Sequence, residues 1–218
     1  SSAATTHTAL LITNFLARIG KRVAVVEAND KKDFATIEYV YEGMKGFHSD
    51  KPSFSIKGVD YYKSGWNLDL AKLKEKNYEY IVLDLGSYEK SEYIEEFLRA
   101  HVQVVVGHGS DWRQQKIAEF SEKFKDRDQS NWIFCTPFTD ELSVDDIKKM
   151  VKSERVYSIP AHPDPWVSNK ETDQVLDLFM KEYLGQRRAK NRNGLLYGII
   201  SAAFVVIVIL VILLLTRN

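Results

Sequence analysis

The chain has 218 residues, in which 30 lysine and arginine residues balance 30 aspartate and glutamate residues. Because the formal net charge is zero, no global electrostatic field favours a polyanion, and we expect no nucleic-acid partner. The length is sufficient for one domain of ordinary size with an appendage. A single cysteine, Cys135, cannot form an internal disulfide, which fits a reducing compartment.

The first half of the chain alternates between helical and extended patterns. Apolar residues recur at helical spacing from residue 9 to residue 16, and Gly20 favours a helix end. An irregular stretch follows the first β-branched run, before two short runs that flank Lys57-Gly58 like a hairpin. The predicted elements are helix 9–16, strand 22–26, hairpin 54–56 and 59–62, helix 68–74 and strand 80–83.

The second half continues the alternation. The predicted elements are helices 93–98, 114–124, 144–151 and 171–190 and strands 102–106, 132–135 and 156–159. Strands without polar alternation, separated by helices, are typical of a parallel sheet covered on both faces. We therefore predict an α/β domain over residues 1–180, with a mostly parallel sheet and its site in the loops at the carboxyl ends of the strands.

The order of these elements resembles the deviant-Walker P-loop ATPases related to ParA and MinD. The stretch TALLITNFLARIGKRV, which starts at Thr8, resembles that family's first helix, glycine turn and second strand, and an acidic loop follows it. The stretch YEYIVLD, which ends at Asp84, resembles the Walker B strand. The resemblance implies a P-loop NTPase-like fold, ATP and Mg²⁺ as cofactors, and a first strand upstream of residue 1.

The resemblance also implies a nucleotide site, which departs from the family's pattern. Ala4 and Thr5 stand where the family has a glycine and the Walker lysine, and His7 takes a threonine position. Thr6 and Asp84 match the hydroxyl and the carboxylate that hold Mg²⁺. A lysine offsets phosphate charge in the transition state, which a threonine cannot do. Serine and threonine are also residues that helix starts prefer as caps, so these positions fit a purely structural role as well.

The acidic loop departs from the family's pattern as well. Glu27 stands at the first of the family's two carboxylates, and Asn29 replaces the second. An amide cannot accept a proton as a carboxylate does, so general-base assistance at this position is lost. The sequence therefore predicts a degenerate acidic loop, and we assign no catalytic residue.

The end of the chain has the composition of a membrane anchor. The run GLLYGIISAAFVVIVILVILLL, at residues 194–215, contains no charge and as a helix spans about 33 Å at about 1.5 Å per residue, enough for a hydrocarbon core of about 30 Å. We predict a transmembrane helix at 194–215, preceded by a basic juxtamembrane segment at 181–193. The basic run within that segment consists of Arg187, Arg188, Lys190 and Arg192. Their excess over the single Arg217 beyond the run predicts a single-pass protein with a cytoplasmic N-terminal domain.

Small residues recur within the apolar run. Gly194, Gly198 and Ala202 are four residues apart, a spacing that lets two membrane helices approach closely and that also arises by chance. The basic segment either attracts anionic lipid or only sets the topology. A homodimer is therefore one of the partner hypotheses for this chain, beside the membrane itself.

Three functions remain open on these observations. The leading hypothesis is a membrane-anchored, degenerate ParA/MinD-like domain that acts as a scaffold or positioning factor for protein partners in a membrane-associated machine, such as a secretion or pilus system. The alternative is an active ATP-binding switch that hydrolyses ATP and dimerises on the membrane. A receiver-like regulatory domain is a third, but it requires clustered acidic residues with a late lysine, which we cannot assemble from this sequence.

Overall fold

The computed structural model describes residues 3–46, 48, 50–65, 69–193 and 205–211. Its helices are α1 (Ala3–Arg18), α2 (Asp33–Gly46), α3 (Leu70–Glu75), α4 (Ile94–Arg99), α5 (Asp111–Lys123), α6 (Glu141–Val151) and α7 (Lys170–Asn193). Its strands are β1 (Val23–Glu27), β2 (Ser53–Ile56), β3 (Val59–Tyr62), β4 (Tyr80–Ser87), β5 (Val102–Val106), β6 (Trp132–Pro137), β7 (Val156–Ile159) and β8 (Val205–Val211).

The strands form one sheet of eight in the order β2-β3-β1-β4-β8-β5-β6-β7. The β2–β3 hairpin is antiparallel, and every other neighbouring pair is parallel. The predicted α/β class with a mostly parallel sheet is confirmed. Parallel neighbours bring the carboxyl ends of β1 and β4 to the same edge of the sheet, which is where ligands bind in open α/β folds.

Both faces of the sheet are buried. Val25, Val82 and Val104 belong to a core with residues of α1 and α7, whereas Leu83 and Val105 belong to a second core with residues of α4, α5 and α6. Successive strand side chains point to opposite faces, so a strand that is apolar at every position needs a packed layer on each side. This double burial explains why the strands lack polar alternation.

Helix α2 occupies the stretch that the sequence led us to expect as irregular. Its apolar residues do not follow one face, because Tyr39, Val40 and Tyr41 are all exposed, Val40 at 73%. The helix also contains a non-helical residue at Gly43, whose φ is 69°. A helix with consecutive exposed apolar residues and an internal break has no clear 3.6-residue period, which is the signal that identifies helices in sequence.

The structure differs from the sequence-based expectation at the C-terminal apolar run. Val205–Val211 forms strand β8, parallel to β4 on one side and to β5 on the other, instead of part of a helix. An uninterrupted apolar run rich in valine and isoleucine suits a central strand with two packed faces as well as a lipid environment. Gly194, Gly198 and Ala202 lie outside the described residues, and the four basic residues of 187–192 lie on the last part of α7.

Within the described parts of the chain, no helix combines the length and the apolarity that crossing a bilayer requires.

Candidate functional site

The candidate site lies where the first turns of α1 meet the carboxyl ends of β1 and β4. In the parallel pairing of these two strands, Glu27 is opposite Asp84. Helix α1 packs against β1 and β4, which brings its first turns to the same edge. Residues that are up to 78 positions apart in sequence, such as Thr6 and Asp84, therefore come into contact.

Thr6 and Asp84 form the centre of this site. The Thr6 hydroxyl donates to Asp84 Oδ2 at 2.7 Å, and the Gly86 N–H donates to Asp84 Oδ1 at 3.0 Å. Asp84 is fully buried and Thr6 is 6% exposed. The two residues that the resemblance assigns to Mg²⁺ binding are thus brought together, and both carboxylate oxygens of Asp84 accept hydrogen bonds.

Burial raises the pKa of Asp84, because it removes water from the charged carboxylate. The positive charge of Lys31 and the hydrogen bonds from Thr6 and Gly86 oppose that rise in pKa. The ionised form of Asp84 therefore depends on these partners.

Asn29 holds the loop after β1 to strand β4. Its Nδ2 donates to the Asp84 carbonyl oxygen at 2.9 Å, and its Oδ1 accepts from the Lys31 N–H at 3.0 Å. A Cβ added at Gly86, whose φ is +66°, would lie only 3.0 Å from the Asn29 Cβ. Both ends of the Asn29 amide are engaged with backbone groups, so the predicted loss of a general base at this position coincides with a structural role.

The Glu27 carboxylate caps helix α2. Its Oε1 accepts from the N–H groups of Asp33 and Phe34, the latter at 3.3 Å, and its Oε2 accepts from the Ser64 N–H at 3.1 Å. Burial raises the pKa of the Glu27 carboxyl, and these three donors oppose the rise. Although Glu27 lies beside Asp84 in the sheet, its carboxylate binds the start of α2 and the turn after β3.

The remaining predicted positions lie on the first turns of α1. Thr5 is fully buried, and Ala4 and His7 are half-buried. His7 Nε2 lies 2.6 Å from the His162 carbonyl oxygen, to which it donates, and burial lowers the pKa of His7. Only Thr6 of this group contacts Asp84 through a described hydrogen bond.

Lys31 is a site residue that the sequence reasoning missed. Its half-buried side chain brings Nζ to 3.4 Å from Thr6 Oγ1, and the same hydroxyl oxygen lies 3.3 Å from Asp33 Oδ2. The family resemblance directs attention to the Walker-lysine position at Thr5, in the first turn of α1, whereas this lysine comes from the loop after β1. Listing every basic residue in the carboxyl-end loops would have identified it.

The residues present fit Mg²⁺ only in part. Thr6 and Asp84 supply a hydroxyl and a carboxylate, the oxygen ligands that Mg²⁺ prefers at about 2.0–2.1 Å. The ammonium of Lys31, however, lies against the same hydroxyl. Thr5, which stands where the resemblance places the charged Walker lysine, is neutral and buried. Among the described residues, no group of three His, Cys, Asp or Glu side chains is placed to hold a metal ion.

The sheet order and the position of α1 define an α/β domain with a mostly parallel sheet and a candidate site at the carboxyl ends of β1 and β4. The fold is similar to that of the MinD cell division protein of Aquifex aeolicus, with a TM-score of 0.58 and 18% identity over 85% of this chain and 92% of that one. It is also similar to the MinC:MinD cell division protein complex of Aquifex aeolicus, with a TM-score of 0.57, 17% identity and the same coverage.

A third similar structure is a plasmid partition protein of Borrelia burgdorferi B31 bound to AMPPNP, with a TM-score of 0.55 and 12% identity over 82% of this chain and 93% of that one. At these identities the similarity concerns the fold. No protein-family model matches the sequence, and the search of curated proteins finds no match either.

Proposed function

We propose that this chain is a membrane-anchored, catalytically degenerate ParA/MinD-like domain that acts as a scaffold or positioning factor for a membrane-associated machine of the secretion or pilus type. One observation carries the proposal. The cation at the Thr6–Asp84 pair is a lysine side chain from the loop after β1, while the position of the Walker lysine holds a neutral and fully buried Thr5.

The chemistry of phosphoryl transfer supports this proposal. The reaction needs positive charge on the transferring phosphoryl group and a residue that orients or deprotonates the nucleophile. Here Asn29 uses both ends of its amide on backbone groups, and Glu27 caps α2. Neither side chain is available as a base, so we expect no turnover.

The proposed anchor is residues 194–215, with the basic residues of 187–192 on the cytoplasmic side. In the structure, Val205–Val211 fills the place between β4 and β5, beside α1. An apolar strand directly upstream of α1, which the resemblance implies, fits the same place, because α1 lies against β8 and β4. With such a strand present, the C-terminal run is released to the bilayer.

Protein contacts are the proposed output of this domain. The MinC:MinD structure is a complex of a MinD-like protein with a partner, which supports protein partners for this chain. Gly194, Gly198 and Ala202 offer a helix face for a homodimer within the membrane, and the basic residues before them favour anionic lipid.

Isothermal titration calorimetry of the full chain in detergent, with ATP and Mg²⁺, tests the degenerate site. We expect no binding heat at millimolar ATP and no release of phosphate. Micromolar binding, or phosphate release that disappears in Asp84→Ala, would show that the site works and would overturn the proposal.

The alternative is an active switch in which ATP drives dimerisation on the membrane. The preserved contact between Thr6 Oγ1 and Asp84 Oδ2, at 2.7 Å, favours it. If the chain is an active switch, light scattering should show that the mass of the detergent-solubilised protein doubles on addition of ATP and Mg²⁺. The Thr6→Ala variant should remain a monomer under the same conditions. The degenerate scaffold predicts the same mass with and without ATP.

A further inference from the structure

We propose that the Lys31 ammonium is a built-in cation, which stands in for a divalent ion at the Thr6–Asp84 pair and closes this position to Mg²⁺. The inference rests on the proposed function and deepens it, because it names the residue that keeps the site closed. The residues that surround the pair do not fit the Mg²⁺ that the family resemblance implies.

Three groups form a chain of contacts. Lys31 Nζ lies 3.4 Å from Thr6 Oγ1, and Thr6 Oγ1 lies 2.7 Å from Asp84 Oδ2. The Thr6 hydroxyl donates its proton to the carboxylate, so its oxygen presents lone pairs to the ammonium. Asp84 is fully buried, and a buried carboxylate is costly without a compensating positive charge.

Backbone contacts aim Lys31 at the pair. The Lys31 N–H donates to Asn29 Oδ1 at 3.0 Å, and Asn29 Nδ2 in turn donates to the carbonyl of Asp84 at 2.9 Å. The Ala28 N–H donates to the same carbonyl at 2.9 Å. On its other side, the loop runs into the α2 start that Glu27 caps. The loop is therefore fixed at both ends by hydrogen bonds, and these bonds, in addition to the charge of Lys31, keep this residue beside Thr6.

A lysine and a Mg²⁺ ion cannot share this position. Both need the oxygen of Thr6, and two positive charges at such a distance repel each other. The native chain should therefore be indifferent to Mg²⁺, whereas removal of the ammonium should leave a buried carboxylate that a divalent ion can stabilise.

The test is thermal unfolding of the full chain with and without millimolar Mg²⁺, in the absence of nucleotide. Lys31→Met should lower Tm by roughly 5 °C, and Mg²⁺ should restore part of that loss. The matched control is Lys32→Met, which removes the same charge from the exposed neighbouring residue. Its Tm should equal that of the native chain and should not change on addition of Mg²⁺.

A double-mutant cycle assigns the effect to Asp84. In an Asp84→Asn background, Lys31→Met should no longer lower Tm, because the buried charge that Lys31 compensates has been removed. Lys31→Arg, which keeps the charge, should remain indifferent to Mg²⁺ and provides a folded variant for comparison if Lys31→Met does not fold.

Two results would overturn the inference. The first is a Mg²⁺-dependent increase in the Tm of the native chain that is as large as the increase in Lys31→Met. If Lys31→Met does not fold, the corresponding result is any Mg²⁺-dependent increase in the Tm of Lys31→Arg. The second is a Lys31→Met variant that behaves like Lys32→Met. Because no nucleotide is present, either result removes the role of Lys31 alone, whereas ATP turnover would remove the proposed function.

Discussion

At the scale of single residues, the molecule is distinguished by charged side chains that are buried beside specific partners. Asp84, Glu27 and Glu38 are each no more than 3% exposed. A buried charge is tolerated only where hydrogen bonds and opposite charge replace water. Substitutions at these positions should therefore have effects that depend on pH and on the partner.

Asp84→Asn should change how stability depends on pH. Because the folded state raises the pKa of Asp84 above the ordinary value of 3.8, the stability that this carboxyl contributes is full below that value and is lost as pH rises through the folded-state pKa. Relative to the wild type, Asp84→Asn should thus gain stability as pH rises from below 3.8 towards neutrality.

Urea unfolding across this pH range measures the difference. Asp30→Asn, which changes an exposed aspartate in the loop after β1, is the matched control. Its free energy of unfolding should vary with pH in the same way as that of the wild type. A stability difference between Asp84→Asn and wild type that does not vary with pH would contradict the predicted direction.

Lys63 and Glu38 form a buried ion pair, with Lys63 Nζ 2.7 Å from Glu38 Oε2 and side chains that are 6% and 1% exposed. Lys63 Nζ also donates to the carbonyl of His48 at 2.7 Å. Lys63→Met should lower the free energy of unfolding by about 3–5 kcal/mol, because it leaves a buried carboxylate without its cation.

Chemical denaturation of Lys63→Met checks this prediction. The double variant Lys63→Met/Glu38→Leu removes both charges and should recover much of the loss. If the double variant is less stable than Lys63→Met, the buried charge is not the cause of the loss.

At the scale of elements, the site depends on how α2 begins. Glu27, the last residue of β1, provides the acceptor for two N–H groups at the start of α2 and one N–H of the turn after β3. The strand and the helix are therefore coupled through one side chain, which also sets the course of the loop that carries Asn29 and Lys31.

Glu27→Ala should lower the free energy of unfolding by about 1–3 kcal/mol, since buried N–H groups lose their acceptor. Glu42→Ala, at an exposed position of the same helix, is the control and should change stability by less than about 0.5 kcal/mol. Urea denaturation followed by circular dichroism measures both. Equal losses in the two variants would mean that Glu27 is not an important cap.

At the scale of the whole molecule, the C-terminal apolar run has two places that its composition suits. One is the sheet, where β8 separates β4 from β5. The other is the bilayer, which the length of residues 194–215 fits. Polarity alone does not distinguish these places, because both remove the run from water.

Labelling of a cysteine beyond the run distinguishes them. If the run spans the membrane, Asn218→Cys in chains inserted into preformed vesicles should be protected from an impermeant maleimide until detergent is added. The native Cys135 should contribute little background, because it is fully buried and burial raises its pKa to about 12.

Lys170→Cys, at an exposed position of the domain, is the control and should be labelled without detergent. Labelling of Asn218→Cys before detergent addition would contradict the proposed anchor and would agree with a C-terminal run that stays in the sheet.

Much of the fold could be predicted from the sequence. The strands at β1, β4, β5, β6 and β7 were all predicted, because runs buried on both faces show little polar alternation. Helix α2 was not predicted, because its exposed apolar residues Tyr39, Val40 and Tyr41 obscure the helical period. Thr6 and Asp84 were paired in advance only through resemblance, since no local pattern links residues so far apart.

The sequence by itself therefore determined the layered α/β class, which follows from local periodicity and composition. The tertiary structure decided which N–H groups the Glu27 carboxylate accepts from, how the Asn29 amide binds the backbone of its loop, and how closely Lys31 approaches Thr6. It also decided the strand between β4 and β5. These features depend on contacts between segments that are distant in sequence. The free energy of burying a charged group depends on the partner that replaces water, and the sequence alone does not show that partner.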